Sequence, residues 1–202
     1  MSAPVLVAGA VVALAGTAVG LRRLRAEEVP RAGMMAAAFF VGSAVIRVPT
    51  GLLSAHLLLN GLAGLILGWA VFPALLVGLF FQAVLLGFGG LTTLGVNTTA
   101  MALPGVIVSL MFGRWLRRSA SLSAGGAFAA GVLGVLLAAV LCAGALFFSG
   151  KAFLKTAAAV VVVHLPIMPV EGLLCLFCVG FLRRVKPELL PLPGKREVAD
   201  DQ

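Results

Sequence analysis

Charge is what this sequence has least of. Charged residues make up 11% of 202, where a soluble domain carries about 25%, and mean hydropathy is +1.16. That scarcity argues against a single soluble domain, the default for a chain of this length. There is no G-x-x-x-x-G-K-[ST], so no phosphate-binding loop is present to hydrolyse ATP. There is no H-E-x-x-H, the clustered motif of many metalloenzymes. A basic n-region is missing ahead of Ala3–Leu21, and that apolar run is long for a signal peptide. It reads as a retained transmembrane helix, with Ser2 and Pro4 suiting its start.

What is present is apolar sequence in blocks. Hydrophobic residues are 61% of the chain, and the charges sit in short clusters between long uncharged runs. This is the pattern of a polytopic membrane protein. A net charge of +8 does not point to nucleic acid. The basic residues punctuate the ends of apolar segments, where they meet headgroups and anionic lipid. Cys142, Cys175 and Cys178 all lie within apolar runs. On a membrane helix the C-x-x-C of Cys175 and Cys178 reads as packing rather than redox or metal chemistry.

The expected architecture is all-α, with seven membrane segments near 3–21, 31–47, 52–68, 70–87, 97–115, 124–149 and 154–182. They form a single transmembrane domain over 1–183, followed by a short polar, exposed tail over 184–202. The third and fourth segments read as a tight hairpin through Gly68–Trp69. With seven passes the loops alternate, and twelve Lys and Arg fall on one side against Arg47, Lys151 and Lys155 on the other. Basic residues mark the cytoplasmic side. The N-terminus is therefore expected outside and the C-terminus inside, with Trp69 and Trp115 at the inner interface.

Few polar residues remain within the apolar runs: His56, Asn60, Gln82, Asn97, His164 and Glu171. In hydrocarbon each is costly unless partnered, so each is a functional candidate. On the seven-helix reading, His56 lies one turn into the third helix and Asn60 four residues later on the same face. Gln82, Asn97 and His164 also fall in the outer half, which suggests a small polar site open to the outside. The loop from Gly87 to Val96, with Gly89 and Gly90, reads as backbone re-entering the protein and closing over a ligand.

His56 is the strongest candidate metal ligand, since neutral imidazole suits Co(II) and Ni(II). Alternatively it bonds only a neighbouring carbonyl. In H-L-P-I-M-P, Pro166 and Pro169 free carbonyls one turn earlier, and His164 can satisfy one. Asn60 and Asn97 are either glue between helices or groups that orient a ligand, and Gln82 reads as glue. Glu171 is seven residues after His164, on nearly the same face and nearer the cytoplasm. It is either structural or faces a partner subunit. Gly16-x-x-x-Gly20 and Gly64-x-x-x-Gly68 permit close helix contact.

Several stretches resemble the CbiM/NikM family, the substrate-capture (S) components of energy-coupling factor transporters for cobalt and nickel. They are M-A-A-A-F-F-V-G-S-A, S-A-H-L-L-L-N-G-L-A-G, F-Q-A-V-L-L-G-F-G-G-L-T-T-L-G-V-N-T, M-A-L-P-G and H-L-P-I-M-P-V-E-G. The resemblance implies seven helices, an external N-terminus and a place in a bacterial or archaeal plasma membrane. It implies that His56 stands where the family carries a helix-borne metal ligand. It implies a membrane-embedded T component and two cytosolic ATPases as partners, with the Ala37 and Ala38 face of the second helix available to the T component. No cofactor is bound permanently. Co(II) or Ni(II) is the cargo, cobalt ahead of nickel, and the cobalt branch serves cobalamin synthesis.

One departure stands out. Family members begin with a Met-His-Ile-type segment whose amine, amide and imidazole wrap the metal in a square-planar set suited to Ni(II). Here the chain reads Met1-Ser2-Ala3-Pro4. A start placed several codons late is the favoured explanation. Removal of the tip and a weakly binding paralogue are the others. Two rival functions stay open. One is an intramembrane metalloenzyme using His56, His164 and Glu171. The other is a structural subunit whose metal site has decayed.

Overall fold

The computed structural model describes residues 1–45, 47–50, 53–117 and 119–190. Eight helices and one strand pair follow in order: α1 Ala3–Arg23, α2 Val29–Val45, β1 Arg47–Thr50, β2 Leu53–His56, α3 Asn60–Leu67, α4 Val71–Leu85, α5 Leu94–Phe112, α6 Ala120–Phe148, α7 Leu154–His164 and α8 Ile167–Val185. Among these residues, four helical stretches are long and apolar enough to cross a membrane. They become five if α7 and α8, bent by 43°, count as one span. The chain is therefore an all-α polytopic membrane protein with one small strand pair.

One of those stretches, Asn60–Leu85, is folded back on itself. Asn60, Gly64 and Gly68 of the descending arm meet Met101, Gly105 and Ser109 in turn, so α3 runs parallel to α5. Beyond Gly68 the order reverses. The Trp69 carbonyl lies against Gly20, and Phe72 lies against Gly16 one turn nearer the start of α1. Gly68 makes the reversal at φ 57°, a conformation that suits glycine. The expected hairpin through Gly68–Trp69 is thus present.

The expected third helix over 52–68 is corrected. Only Asn60–Leu67 is helical, about 12 Å long. Before it, β1 and β2 pair antiparallel with Arg47 opposite His56 and Thr50 opposite Leu53. Pro49 has no N–H to give, and a two-stranded ribbon tolerates it on an outer edge. The expected positions 46, 51 and 52 lie outside the described residues. The seventh segment is also corrected, because it breaks between His164 and Ile167, where Pro166 interrupts the helix.

All eight residues of α3 are buried, so this short arm is the centre of the core. Small residues let the neighbours close on it. Gly61 abuts the Ala130 carbonyl of α6, Gly64 abuts Gly105 of α5, and Gly131 of α6 abuts Gly172 of α8. Such contacts are the way helices pack where lipid removes the hydrophobic drive. The outer faces of α1 and α2, with Val7, Leu14, Met34 and Val41, are exposed and suited to lipid.

One end of the molecule collects the basic residues. Arg23 sits over the Trp69 ring at 5.3 Å, and Arg183 donates to the Leu116 carbonyl at 3.1 Å. Arg31 pairs with Glu28 at 2.7 Å and donates to the Leu189 carbonyl at 3.2 Å. Leu190 is buried, so the tail expected to be exposed packs back at its start. Residues 191–202 lie outside the described residues.

Candidate functional site: His56 and its supports

His56 is half-buried and ends β2, not a helix. Its Nδ1 lies 3.1 Å from the Leu57 carbonyl oxygen. A carbonyl only accepts, so Nδ1 carries the proton. In the neutral ring Nε2 is then the unprotonated nitrogen, the one that can ligate a metal.

Three leucines follow, and they are seated on two sides. Leu57 and Leu59 lie on Gly42 of α2. Leu58 packs with Val135 and Ala138 of α6 and with Met168 of α8. Leu59 has φ 49°, the left-handed region that a branched side chain rarely enters. Its N–H donates to both Glu171 carboxyl oxygens, at 2.8 and 3.0 Å, and the Leu58 N–H donates to the same group. Glu171 is fully buried. It therefore does not face a partner, which corrects that expectation. The non-helical path through Leu57–Leu59 brings the start of α3 level with it. Glu171 fixes the turn that links His56 to α3.

The other polar candidates do not converge on His56. Asn60 was expected on the His56 face, but no helix joins the two. It is fully buried and donates to the carbonyls of Met101 at 3.2 Å and Gly134 at 3.0 Å, bridging α3, α5 and α6. Gln82 is buried and donates to the Ser43 hydroxyl, which donates to the Phe40 carbonyl at 3.0 Å. It ties α4 to α2 and lines no site. His164 Nδ1 donates to the Val160 carbonyl at 2.7 Å, a backbone carbonyl but not one of those a turn before Pro166 and Pro169.

Asn97 is half-buried, donates to Thr93 Oγ1 at 3.4 Å and sits against Gly89. The loop beneath it does not re-enter the protein. Gly87, Gly89 and Gly90 are exposed at φ 68°, 76° and 77°, and the Thr93 hydroxyl closes the turn onto the Gly89 and Gly90 carbonyls. Its glycines serve the turn, and the expectation of buried or cavity-lining backbone is corrected.

Sequence reasoning missed Ser43, Thr93 and the amides of Leu58 and Leu59. Ser43 was the one to find, as a lone hydroxyl within the second apolar block. A backbone amide leaves no such trace. Among the described residues, no group of three or more His, Cys, Asp and Glu side chains is placed to hold a metal. Chemically the arrangement supplies one oriented imidazole on a rigid support.

Comparison with known proteins gives this geometry its context. A putative metal transport protein of Haemophilus influenzae is 42% identical over 93% of this chain and 92% of its own length. A cobalt transport protein CbiM of Sorangium cellulosum is 33% identical over 86% and 83%. A putative fused nickel transport protein NikMN of Archaeoglobus fulgidus is 30% identical over 88% of this chain and 62% of its own length. A crystal structure of a transition metal transporter superposes with a TM-score of 0.66 over 92% of this chain and 90% of that one, at 22% identity, a shared fold. The profile of the cobalt uptake substrate-specific transmembrane region matches residues 1–189, and the chain belongs to that family, CbiM, a family of membrane metal-transport proteins.

Proposed function

We propose that this chain is the substrate-binding membrane subunit of an energy-coupling factor transporter that imports a divalent transition metal, cobalt ahead of nickel. The observation that carries the reading is His56. It lies in a metal-transport family, its Nδ1 is tied to a carbonyl, and the turn after it is clamped by Glu171. His56 would be a metal ligand, held in place through the turn rather than by Asn60 or Asn97. The cobalt preference rests on the family's description and the Sorangium relative, while the Archaeoglobus relative keeps nickel in view.

The T component and two ATPases would supply the energy, since the chain has no ATP-binding loop of its own. Ala37 and Ala38 are exposed on α2 and suit a close helix contact with the T component. The topology proposed is seven passes, with β1, β2 and α3 together making the third. The N-terminus lies outside. Supporting this, Trp69, Trp115, Arg23 and Arg183 gather at one end of the molecule, as an inner interface requires.

A structural subunit with a decayed site is the second reading, favoured by the lack of further grouped ligands among the described residues. The metalloenzyme reading loses its residues, because His164 and Glu171 are each held by backbone groups.

The test is Co(II) and Ni(II) uptake by cells expressing the chain with its T component and ATPases. The chain is used as written and with a Met-His-Ile segment placed ahead of Ser2, each with and without His56→Ala. Uptake lost on His56→Ala supports the proposal. Uptake indifferent to His56, or absent in every form with the complex assembled, overturns it.

A further inference from the structure

The basic end of the molecule carries a cavity that the metal site does not use. It lies between the start of α6 and the end of α8, with a volume of about 360 Å3. Ala120, Ala124 and Gly180 keep it open, and Leu176 and Val179 make its apolar floor.

Its polar features all favour an anion. Ser123 lines it and is 1% exposed, yet its hydroxyl has no hydrogen-bond partner among the described residues. An orphaned buried hydroxyl is costly unless something occupies the space beside it. The 29-residue helix α6 begins here, and Ser119 at its N-cap makes no side-chain capping bond. Its first amides and the positive end of its dipole therefore lie beside the cavity, next to Ala120. Arg183 lines the wall, held by its bond to the Leu116 carbonyl, and Arg184 lines the rim with its side chain exposed. No acidic side chain is among the described residues that line it.

We propose that this cavity binds the phosphodiester headgroup of an anionic phospholipid. The phosphate would sit between Arg184, the Ser123 hydroxyl and the first amides of α6, with the glycerol and first methylenes on Leu176 and Val179. The apolar floor selects a lipid over free phosphate. Basic pockets between membrane helices are the usual seat of such headgroups.

Native mass spectrometry of the full chain in detergent tests this. Phosphatidylglycerol, phosphatidylcholine with the same acyl chains, and inorganic phosphate are offered separately and in competition. One phosphatidylglycerol is expected to stay bound where phosphatidylcholine does not. Arg184→Gln, at an exposed position, should cut that occupancy about fivefold, and Ser123→Ala should cut it as well. Arg22→Gln, at the basic end of α1 and away from the cavity, should leave it unchanged. Equal retention of the two lipids overturns the proposal. So does an equal loss in Arg22→Gln, which would mean diffuse charge attraction. Displacement by inorganic phosphate at equal concentration would overturn the lipid assignment.

Discussion

Glu171 closes on the backbone of Leu59, both carboxyl oxygens accepting the one N–H at 2.8 and 3.0 Å. The residues are 112 apart in the chain. The contact holds a left-handed leucine that would otherwise cost about 1–2 kcal/mol, and it does so three residues after His56.

Loss of that carboxyl strands two buried amides, each worth about 1–3 kcal/mol. Glu171→Ala is expected to unfold at a lower temperature than Glu171→Gln, and both below the parent. Glutamine keeps one accepting oxygen. Tryptophan fluorescence during heating in detergent measures this. A Glu171→Ala protein that melts with the parent would show that the clasp contributes nothing.

His56 and His164 should separate cleanly. His56→Ala is expected to abolish metal uptake, because the imidazole held beside the Leu57 carbonyl is the ligand the proposal assigns. His164→Ala should keep at least half of the uptake, since its Nδ1 serves only the Val160 carbonyl. Equal losses in the two variants would contradict the roles assigned here.

A methyl group at Gly64 would run into the Gly105 backbone, whereas one at Gly125 meets nothing within 4 Å. Gly64→Ala should cost about 1–3 kcal/mol and reduce the yield of monodisperse protein. Gly125→Ala, on the exposed side of α6, should be neutral or slightly stabilising. Size-exclusion profiles of the two variants decide it.

Gln82 and Ser43 form an isolated interhelical pair. A cycle of Gln82→Leu, Ser43→Ala and the double variant should return a coupling of about 0.6 kcal/mol, with a ceiling near 1.7. Additive effects would mean that the bond is not populated in the micelle.

The proposed topology makes its own prediction. In a cysteine-free background, Gly150→Cys should react with a membrane-impermeant maleimide added to whole cells, and Arg25→Cys should react only after lysis. The reverse pattern would invert the molecule.

Much of the fold was legible in the sequence because lipid demands long apolar blocks, and α1, α5 and α6 are just that. The stretch 47–59 was not. Its composition is as apolar as a helix, and the pairing of Val48 with Ala55 leaves no period to read. The rule that polar groups in membranes do work picked out His56, Asn60, Gln82, Asn97, His164 and Glu171. It did not say which work. Gln82 had a hydroxyl waiting in α2, and the Asn60 amide nitrogen had the carbonyls of Met101 and Gly134, so each serves as a tie between helices. Glu171 spends its carboxyl on amides, which no side-chain pattern announces.

The glycine contacts around α3 have a mechanical consequence. Where Gly61 meets Ala130, Gly64 meets Gly105 and Gly131 meets Gly172, main chain touches main chain. No rotamer stands between them to yield under load. Those four helices therefore tilt as one rod-like block, and any opening near His56 has to be taken up by what hangs from that block: the strand pair and the jointed arm of α7.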